Sequence, residues 1–320
     1  MAQTENGNTP IVAVLIPCFN EAPTIGKVVD DFKRVLPDAD IYVYDNNSTD
    51  KTSEIAAAHG AIVRKESRQG KGNVVRQMIR EIDADYYLMV DGDDTYPADA
   101  APKLLAPLIS GEADMSVGDR LSNGSYADEN DRKFHGFGNN LVRFLIKRIY
   151  GYEFEDVMTG YRGFTRIFAK TMPVESGGFE IETELSIHAV DKKWRIADVP
   201  IEYRDRPQGS ESKLRTIPDG FAVLKTIASL FKDYRPLALF TGISLLLIIL
   251  GLIVGLPVVF EFTKTGLVER FPSAMLAVAL VGSGLLSLAC GLVLDTIVKS
   301  ERKEYELKVI EAYHRYGNLI

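Results

Sequence analysis

The stretch "YYLMVDGDDTYP", residues 86–97, joins a run of apolar and aromatic residues to a cluster of acids. The run has the composition of a buried strand, and Asp91, Asp93 and Asp94 follow it directly. Like charges at the end of a buried strand repel one another unless a cation lies among them, and carboxylates are ligands for hard divalent cations. We therefore predict Asp91 and Asp93 as metal ligands. The alternative for three acids in a loop is a turn or a helix cap.

From residue 10 to about residue 120, short apolar runs alternate with longer amphipathic ones. Three more strands are predicted, each followed by apolar residues at helical spacing. The strands are "IVAVLIP", "DIYVYD" and "AIVRK", and the helices are "TIGKVVDDFKRVL", "TSEIAAAHG" and "GNVVRQMIREI". This alternation predicts an α/β fold with a mostly parallel sheet and helices on both faces. Ligands of such sheets bind beyond the carboxyl ends of the strands.

Polar residues also follow two of the other predicted strands, in "PCFNEA" and "YDNNSTD". In a parallel sheet these residues and the acids after residue 90 meet at one edge. The segment "RQGKGNVVRQ", residues 68–77, places Gly70, Lys71 and Gly72 before a helix, where free amides and a lysine suit an anionic group. It lacks the spacing of a Walker loop, and no GxGxxG follows the first strand, so neither an ATPase nor a dinucleotide oxidoreductase is supported.

The composition narrows the class of protein further. The chain has 320 residues, 46% of them hydrophobic, and a net charge of −7, so it is long enough for one large domain and has no basic field for nucleic acid. Cys18 and Cys290 fit neither a disulfide framework nor a zinc site, which suits a reducing compartment. Residues 1–9 are polar and are expected to form a short disordered lead rather than a secretion signal.

Two uncharged segments near the end of the chain are each long enough to cross a bilayer as a helix. We predict a transmembrane hairpin of residues 236–298, with spans 236–260 and 272–298; a pair of buried core helices is the alternative. More basic residues flank the hairpin than lie in its loop. By the positive-inside rule, this predicts that both termini and the first domain are cytosolic. Small residues around Gly282 to Gly284 would permit close contact between helices and hence a homo-oligomer.

The remaining boundaries follow from these spans. We expect a cytosolic catalytic domain over residues 10–215, an amphipathic helix in the membrane interface over 216–235, and a cytosolic tail over 299–320. Residues 139–152 form a second amphipathic stretch, for which packing on the sheet is the alternative to a membrane contact.

Four motifs, in this order and spacing, resemble the inverting family 2 glycosyltransferases, which have the Rossmann-like GT-A fold: "VLIPCFNEAPTIGKVV", "VYDNNSTDKT", "RQGKGNVVR" and "MVDGDDTYP". The later segments "MTGYRGFTR", "GFEIETEL" and "YRDRPQGSESKL", with the hairpin, resemble the polyprenyl-phosphate branch, which includes dolichyl-phosphate mannose synthase and bacterial GtrB-like enzymes. The motifs cover about residues 10–235.

The resemblance implies a nucleotide site and a metal site. The residues implied in nucleotide binding are Pro17, Asn20, Glu21, Asp45, Asn47, Lys71 and Asp91. Asp45 would take the edge of the base, with Lys71 near it. Asp91 and Asp93 would hold Mg²⁺ or Mn²⁺ on the diphosphate, so that Asp93 also counts as catalytic, because the metal neutralises the charge that develops on the leaving group.

The second half of the catalytic domain is expected to hold the lipid acceptor. The candidate acceptor-phosphate residues are Arg120, Arg162, Arg166, Arg206, Ser212 and Lys213. A solvated surface position is the alternative for Arg120, Arg206, Ser212 and Lys213. Asp156 is a second catalytic candidate, as a base or as an orienting group; a helix cap or a partner for Arg162 fits the same sequence. Glu180 and Glu182 could line the site in a structural or acceptor-side role.

The resemblance, together with the hairpin, implies a membrane-anchored enzyme that moves a sugar from a nucleotide-sugar to undecaprenyl phosphate or a similar polyprenyl phosphate. The donors used in the family that the motifs resemble favour UDP-glucose or UDP-N-acetylglucosamine here, and GDP-mannose is the next candidate. The alternatives are a polysaccharide-extending family 2 enzyme and a non-catalytic nucleotide-binding scaffold. The first usually carries QxxRW and more spans, whereas the only tryptophan here, Trp194, lies in "DKKWRI".

Overall fold

The computed structural model describes residues 10–120, 143–144, 146–148, 151–204 and 235–317. It divides into two compact units, residues 1–224 with 307–320 and residues 225–306.

The first unit contains a seven-stranded mixed sheet in the order β3-β2-β1-β4-β6-β5-β7. The strands are β1 (Val12–Cys18), β2 (Asp40–Asp45), β3 (Ile62–Lys65), β4 (Tyr86–Met89), β5 (Met115–Asp119), β6 (Arg162–Thr165) and β7 (Ile196–Pro200). The pairs β1–β2, β2–β3, β1–β4 and β5–β7 are parallel, whereas β6 runs antiparallel to both β4 and β5. The predicted α/β fold and its first four strands are confirmed.

Helices connect the strands and cover the sheet. They are α1 (Ile25–Val35), α2 (Thr52–Ala58), α3 (Lys71–Glu81), α4 (Ala101–Ile109), α5 (Arg166–Thr171) and α6 (Ile181–Asp191). The central strand β1 is fully buried from Ala13 to Ile16, and α1 buries Val28, Val29 and Phe32, whose spacing gives the helix its apolar face. This burial excludes water from both faces of the central strands and makes the sheet a rigid support for the loops at its edges.

The second unit contains most of two long apolar helices, α7 (Pro236–Thr265) and α8 (Phe271–Tyr316). Both are candidate membrane spans, and only 17% and 22% of their most apolar windows are buried. Helices of a soluble core bury most of their surface, so this exposure speaks against the core-helix alternative. α8 continues without a break beyond residue 298 to Tyr316, so the predicted tail extends the second span as a helix as far as that residue.

Small residues let α7 and α8 approach each other closely. A Cβ at Gly251 would lie 2.7 Å from Val281, and one at Gly284 would lie 2.8 Å from Ile248. By contrast, a Cβ at Gly282 would meet nothing within 4 Å among the described residues. Gly284 therefore contributes to the packing of α7 against α8. Gly282, which is also among the small residues predicted to permit an oligomer, has open surroundings among the described residues.

Candidate active site

The carboxyl ends of β1, β2 and β4 lie side by side, as the parallel register requires. Cys18 pairs with Asp45, and the N–H of Asn46 donates to the carbonyl of Cys18 at 2.8 Å. The loops beyond these strands are joined by side chains: the N–H of Asn20 donates to Ser48 Oγ at 2.9 Å. The polar strand ends that the sequence predicts to converge therefore do share one edge of the sheet.

Three of these loops contain a residue in the left-handed region of the backbone. Asn20, Asn47 and Asp94 have φ values of 55°, 65° and 58°. Asn and Asp tolerate this conformation better than other residues with a Cβ, and it turns the chain sharply after a strand. These turns keep the loops short, so that the polar side chains stay close to the strand ends.

A cavity of about 470 Å³ opens at this edge. Six of the predicted site residues line it: Pro17, Glu21, Lys71, Asp91, Asp93 and Arg120. The other described lining residues are Cys18, Phe19, Asn46, Gln69, Gly70, Val74, Thr95, Tyr96, Met158, Gly178, Phe179, Glu180, Glu182, Thr183 and Tyr203. The cavity thus carries acids, a lysine and an arginine within one enclosure.

Lys71 links two acids of the cavity. Its Nζ donates to Asp91 Oδ1 and, at 2.6 Å, to Glu182 Oε1, and its side chain is only 9% exposed. Burial opposes the charge of Lys71, but the two carboxylates outweigh it and raise the pKa of the ammonium. Burial also raises the pKa of Glu182, against the pull of Lys71. The lysine therefore remains a cation held between two carboxyl groups.

Asp93 is held by the loop that follows it. Its Oδ1 accepts from Thr95 Oγ1 at 2.6 Å and from the Thr95 N–H at 3.3 Å, and the residue is buried. The backbone of Gly160 packs against the carboxylate of Asp91 so closely that a Cβ there would collide with it. Both carboxylates therefore have fixed positions at the wall of the cavity.

Arg120 follows β5 at the same edge, because β5 runs in the direction of β4. It donates from Nε to Asp156 Oδ2 at 2.6 Å and from NH2 to Asp156 Oδ1 at 3.1 Å. Its guanidinium also lies 5.3 Å from the ring centre of Tyr203, and its Nη1 donates to the hydroxyl of Tyr96 at 3.4 Å. Asp156 is fully buried, so this two-point pair orients Arg120 toward the cavity.

The sequence leaves open that Asp156 is a partner for Arg162, whereas the structure pairs Asp156 with Arg120. Arg162 is fully buried and donates to the backbone carbonyls of Val157, at 2.6 Å, and Thr159, at 3.0 Å. Burial lowers the pKa of its guanidinium to about 10. Its bonds fix the loop before β6, so the structure does not bring this acceptor-phosphate candidate to the cavity.

Arg166, another acceptor-phosphate candidate, lies at the opposite edge of the sheet. β6 is antiparallel to β4, and Thr165 pairs with Tyr86 at the start of β4. Arg166 donates to the carbonyl of Ala84 at 2.8 Å and lies 3.3 Å from Asp83. The strand carries this arginine away from the site. Arg206, Ser212 and Lys213 lie outside the described residues.

Three predicted nucleotide-binding residues shape the loops rather than line the cavity. Asp45 accepts from the Ser48 N–H at 2.9 Å and from Ser53 Oγ at 2.8 Å. Asn20 accepts from the Thr49 N–H at 2.7 Å, and Asn47 donates to the carbonyl of Ser67 at 2.8 Å. Asn46, which lies between Asp45 and Asn47 in the sequence, lines the cavity instead.

The amides at the start of α3, which the sequence suggested as an anion site, are occupied. Gly72 and Asn73 donate their N–H groups to the carbonyls of Gly178 and Gly177, at 3.1 and 3.4 Å. A Cβ at Gly72 would collide with the carbonyl of Ser176, so the glycine permits this approach. The expectation of free amides is therefore wrong for these two residues.

The segment that occupies those amides is held from two sides. Arg76 donates to the carbonyls of Val174 and Glu175, both at 2.6 Å. Glu184 accepts from the N–H groups of Glu175 and Ser176, both at 2.8 Å. This clamp fixes the chain immediately before Phe179 and Glu182, which line the cavity.

Several lining residues carried only a weak signal in the sequence. Tyr96 follows the acids directly in "DDTYP", and its hydroxyl accepts from the N–H of Gly160 at 3.0 Å. The sequence indicates that Glu182 could line the site but does not indicate its partner, Lys71, which is 111 positions away. Tyr203 and Phe179 had no assigned role. Only the three-dimensional arrangement identifies their common cavity.

The acids of the cavity are candidate ligands for a divalent metal ion. The described residues contain no group of three or more His, Cys, Asp or Glu side chains arranged to hold an ion. Asp91 and Asp93 nevertheless line the cavity, and Glu182 Oε2 is buried without a hydrogen-bond partner among the described residues. Mg²⁺ is typically held by one or two carboxylates together with substrate phosphates and water, so the donor set fits such an ion.

The profile of Glycosyl transferase family 2 matches residues 13–172, and the chain belongs to that family. It is therefore a glycosyltransferase.

Curated relatives span most of the chain. Glycosyltransferase AglJ of Haloferax volcanii is 34% identical over 297 residues, which are 92% of this chain and 95% of the relative. A dolichyl-phosphate hexose transferase of the same organism is 32% identical over 225 residues, 70% of this chain and 95% of the relative.

Solved structures with the same fold include glucosyl-3-phosphoglycerate synthase of Mycobacterium tuberculosis in complex with Mn²⁺, UDP-glucose and phosphoglyceric acid. The TM-score is 0.57 at 22% identity, over 70% of this chain and 79% of that one. At this identity the likeness shows the GT-A fold alone.

Proposed function

We propose that the protein transfers a sugar from a nucleotide-sugar to a polyprenyl phosphate such as undecaprenyl phosphate. The observation that carries the proposal is that Asp91, Asp93 and Arg120 line the same cavity. A donor diphosphate needs a cation or cationic groups, and an acceptor phosphate needs a positioned arginine. Candidate membrane helices in the same chain supply access to a lipid.

In this function Asp91 and Asp93 would hold Mg²⁺ or Mn²⁺, which neutralises charge on the leaving nucleoside diphosphate when bound. Pro17 and Glu21 line the part of the cavity beyond β1, where the nucleoside would bind. UDP-glucose or UDP-N-acetylglucosamine are the favoured donors, with GDP-mannose behind them. Transfer would invert the anomeric carbon, as in the family that the motifs resemble.

The acceptor needs positioning more than deprotonation. A lipid phosphate is already ionised at neutral pH, so its oxygen is a competent nucleophile once it lies in line with the sugar carbon. Arg120 would hold that phosphate. Asp156 is buried and bound to Arg120 through both oxygens, which favours the orienting role over the role of a base.

The membrane arrangement completes the proposal. The hairpin of residues 236–298 would anchor the protein in the cytoplasmic membrane, with the catalytic domain of residues 10–215, the interfacial helix of residues 216–235 and the tail of residues 299–320 on the cytosolic side. The basic residues that flank the hairpin support this orientation.

The experiment is a transfer assay with the full chain in detergent. Undecaprenyl phosphate, Mg²⁺ or Mn²⁺ and a panel of radiolabelled UDP- and GDP-sugars are mixed, and label that enters the organic phase is counted. We expect label from one donor, lost on addition of EDTA. Binding of nucleotide by the folded protein without label from any donor would contradict the proposal and favour a scaffold; label in a polymer would favour a polysaccharide-extending enzyme.

A further inference from the structure

The ammonium of Lys71 lies at an atom that a metal ion would need. Lys71 Nζ contacts Asp91 Oδ1, and the backbone of Gly160 packs against the same carboxylate. Asp91 is 29% exposed, whereas Lys71 is 9% exposed. A metal ion that approaches the Asp91 carboxylate therefore meets the backbone of Gly160 and the ammonium of Lys71.

A divalent cation and an ammonium cannot share this position. Each needs the same oxygen lone pairs, and two cations in contact repel one another strongly in a site that excludes most water. The backbone of Gly160 packs closest to Asp91 Oδ2, so a metal that binds Asp91 through Oδ1 takes the oxygen to which Lys71 donates and displaces the lysine. The lysine needs a second anionic partner if it is to remain buried after that exchange.

Glu182 supplies that partner. Its Oε1 already accepts from Lys71 at 2.6 Å, and its Oε2 is buried without a hydrogen-bond partner among the described residues. Lys71 can thus move off Asp91 and donate to both oxygens of Glu182 through a change of side-chain rotamer. α6 holds Glu182 near its first turn, and the clamp of Arg76 and Glu184 fixes the segment before it.

We infer that Lys71 is an internal counter-cation that occupies the metal position at Asp91 and is displaced onto Glu182 when a divalent ion binds. This inference rests on the proposed function, because it takes Asp91 as a metal ligand. The bond to Lys71 keeps Asp91 in place when the site holds no ion, and the exchange makes the intrinsic metal affinity weaker than two preformed carboxylates would give. Lys71 therefore sets the affinity of the site for its metal.

The test is the affinity for Mn²⁺ in the absence of nucleotide, measured on the full chain in detergent by the electron paramagnetic resonance signal of free Mn²⁺. Lys71→Met removes the competing cation, and we expect it to bind Mn²⁺ at least about tenfold more tightly than the wild type. Lys71→Met combined with Glu182→Gln removes one positive and one negative charge together. Because its local net charge equals that of the wild type, tighter binding by this double variant isolates the loss of competition from a change in field.

Lys27→Met is the matched control. Lys27 pairs with Asp94 at 2.7 Å beside the same motif, but it is 54% exposed and does not line the cavity. We expect less than about a twofold change in Mn²⁺ affinity, since exposed charges are screened by salt. A double variant with wild-type affinity would overturn the inference, as would an absence of saturable binding in every variant.

The proposed function is tested separately by Asp91→Asn. If Asp91→Asn loses Mn²⁺ binding while Lys71→Met does not tighten it, the metal site stands and the counter-cation fails. If Asp91→Asn leaves binding unchanged, the metal assignment itself fails. Circular dichroism confirms the fold of each variant, and the charge-balanced double variant covers the case in which Lys71→Met alone does not fold.

Discussion

Asp156→Asn separates an orienting role from the role of a base. The native carboxylate is fully buried and receives two bonds from Arg120, at 2.6 and 3.1 Å, and one from the Met158 N–H at 3.1 Å. Removing one partner of a buried ion pair costs about 3–5 kcal/mol. The asparagine keeps one acceptor oxygen for a bond to a charged group, worth about 1.5–3 kcal/mol. We therefore expect the variant to lose roughly 2 kcal/mol of stability and remain folded.

Its effect on activity follows from Arg120. A guanidinium that loses one of two fixed bonds is misplaced, and a displacement of about 1 Å at a reacting group costs about 10²-fold in rate. Because Arg120 would contact the acceptor and not the donor, the loss should fall on the acceptor. We expect kcat/KM for undecaprenyl phosphate to drop by about two orders of magnitude, with the KM for the nucleotide-sugar little changed.

The assay is the initial rate of transfer at saturating donor, with the acceptor varied at several pH values. Glu155→Gln is the control, because Glu155 is adjacent in sequence but half exposed and paired with Arg143 at 3.2 Å. An orienting role leaves the shape of the pH profile intact. A fall in kcat at unchanged acceptor KM, with loss of the acidic limb of the profile, would show that Asp156 is a base and refute the reasoning.

Three further predictions follow from the placement of other residues. Arg166→Ala should lower the unfolding midpoint by the equivalent of about 1–3 kcal/mol, because it removes bonds to Ala84 and Asp83, yet keep full transfer activity; a large loss of activity in the folded variant would place Arg166 in the site. Burial lowers the pKa of His188 to about 3, below its usual 6.5, so its neutral form contributes stability that is complete above pH 6.5 and lost as the pH falls toward 3. His188→Gln should therefore flatten the decline in unfolding midpoint between pH 6.5 and 5, and equal declines in the two proteins would contradict this. Gly284→Leu should destabilise the hairpin by about 1–3 kcal/mol in detergent, because its side chain would meet Ile248 and Ser244, whereas Gly282→Leu should not; equal effects on the melting of the purified proteins would argue against the packing.

Local patterns were sufficient for the first half of the sheet. The strands that precede Asn20, Asp45 and Asp91 are short apolar runs followed by polar turns, and parallel pairing brings such ends together whatever the details of the loops. The same reasoning placed Lys71 and Asp93 at the cavity correctly. These residues are predictable because each depends on one strand or one helix start.

The second half depends on strand direction, which local sequence does not encode. Arg162 begins one short strand and Arg166 follows it, and only the antiparallel pairing of that strand with β4 shows that one lies in the core and the other at the far edge. Glu182 and the carbonyls of Gly177 and Gly178 reach α3 from more than a hundred positions away. Such contacts arise because the segment that leads into α6 lies against the start of α3, and no periodicity near either residue signals them.

If the cavity acids carry a metal-dependent transfer to a lipid phosphate, the activity depends on Asp91 and not on the neighbouring Asp94. The most direct measurement compares label transferred to undecaprenyl phosphate by the wild type, Asp91→Asn and Asp94→Asn in the same detergent and metal. Asp94 has the same charge, but it pairs with Lys27 and does not line the cavity. We predict that Asp91→Asn loses at least about 10²-fold in rate while Asp94→Asn stays within a few-fold of the wild type. Equal activity in all three proteins, or equal loss in both variants, would contradict the account.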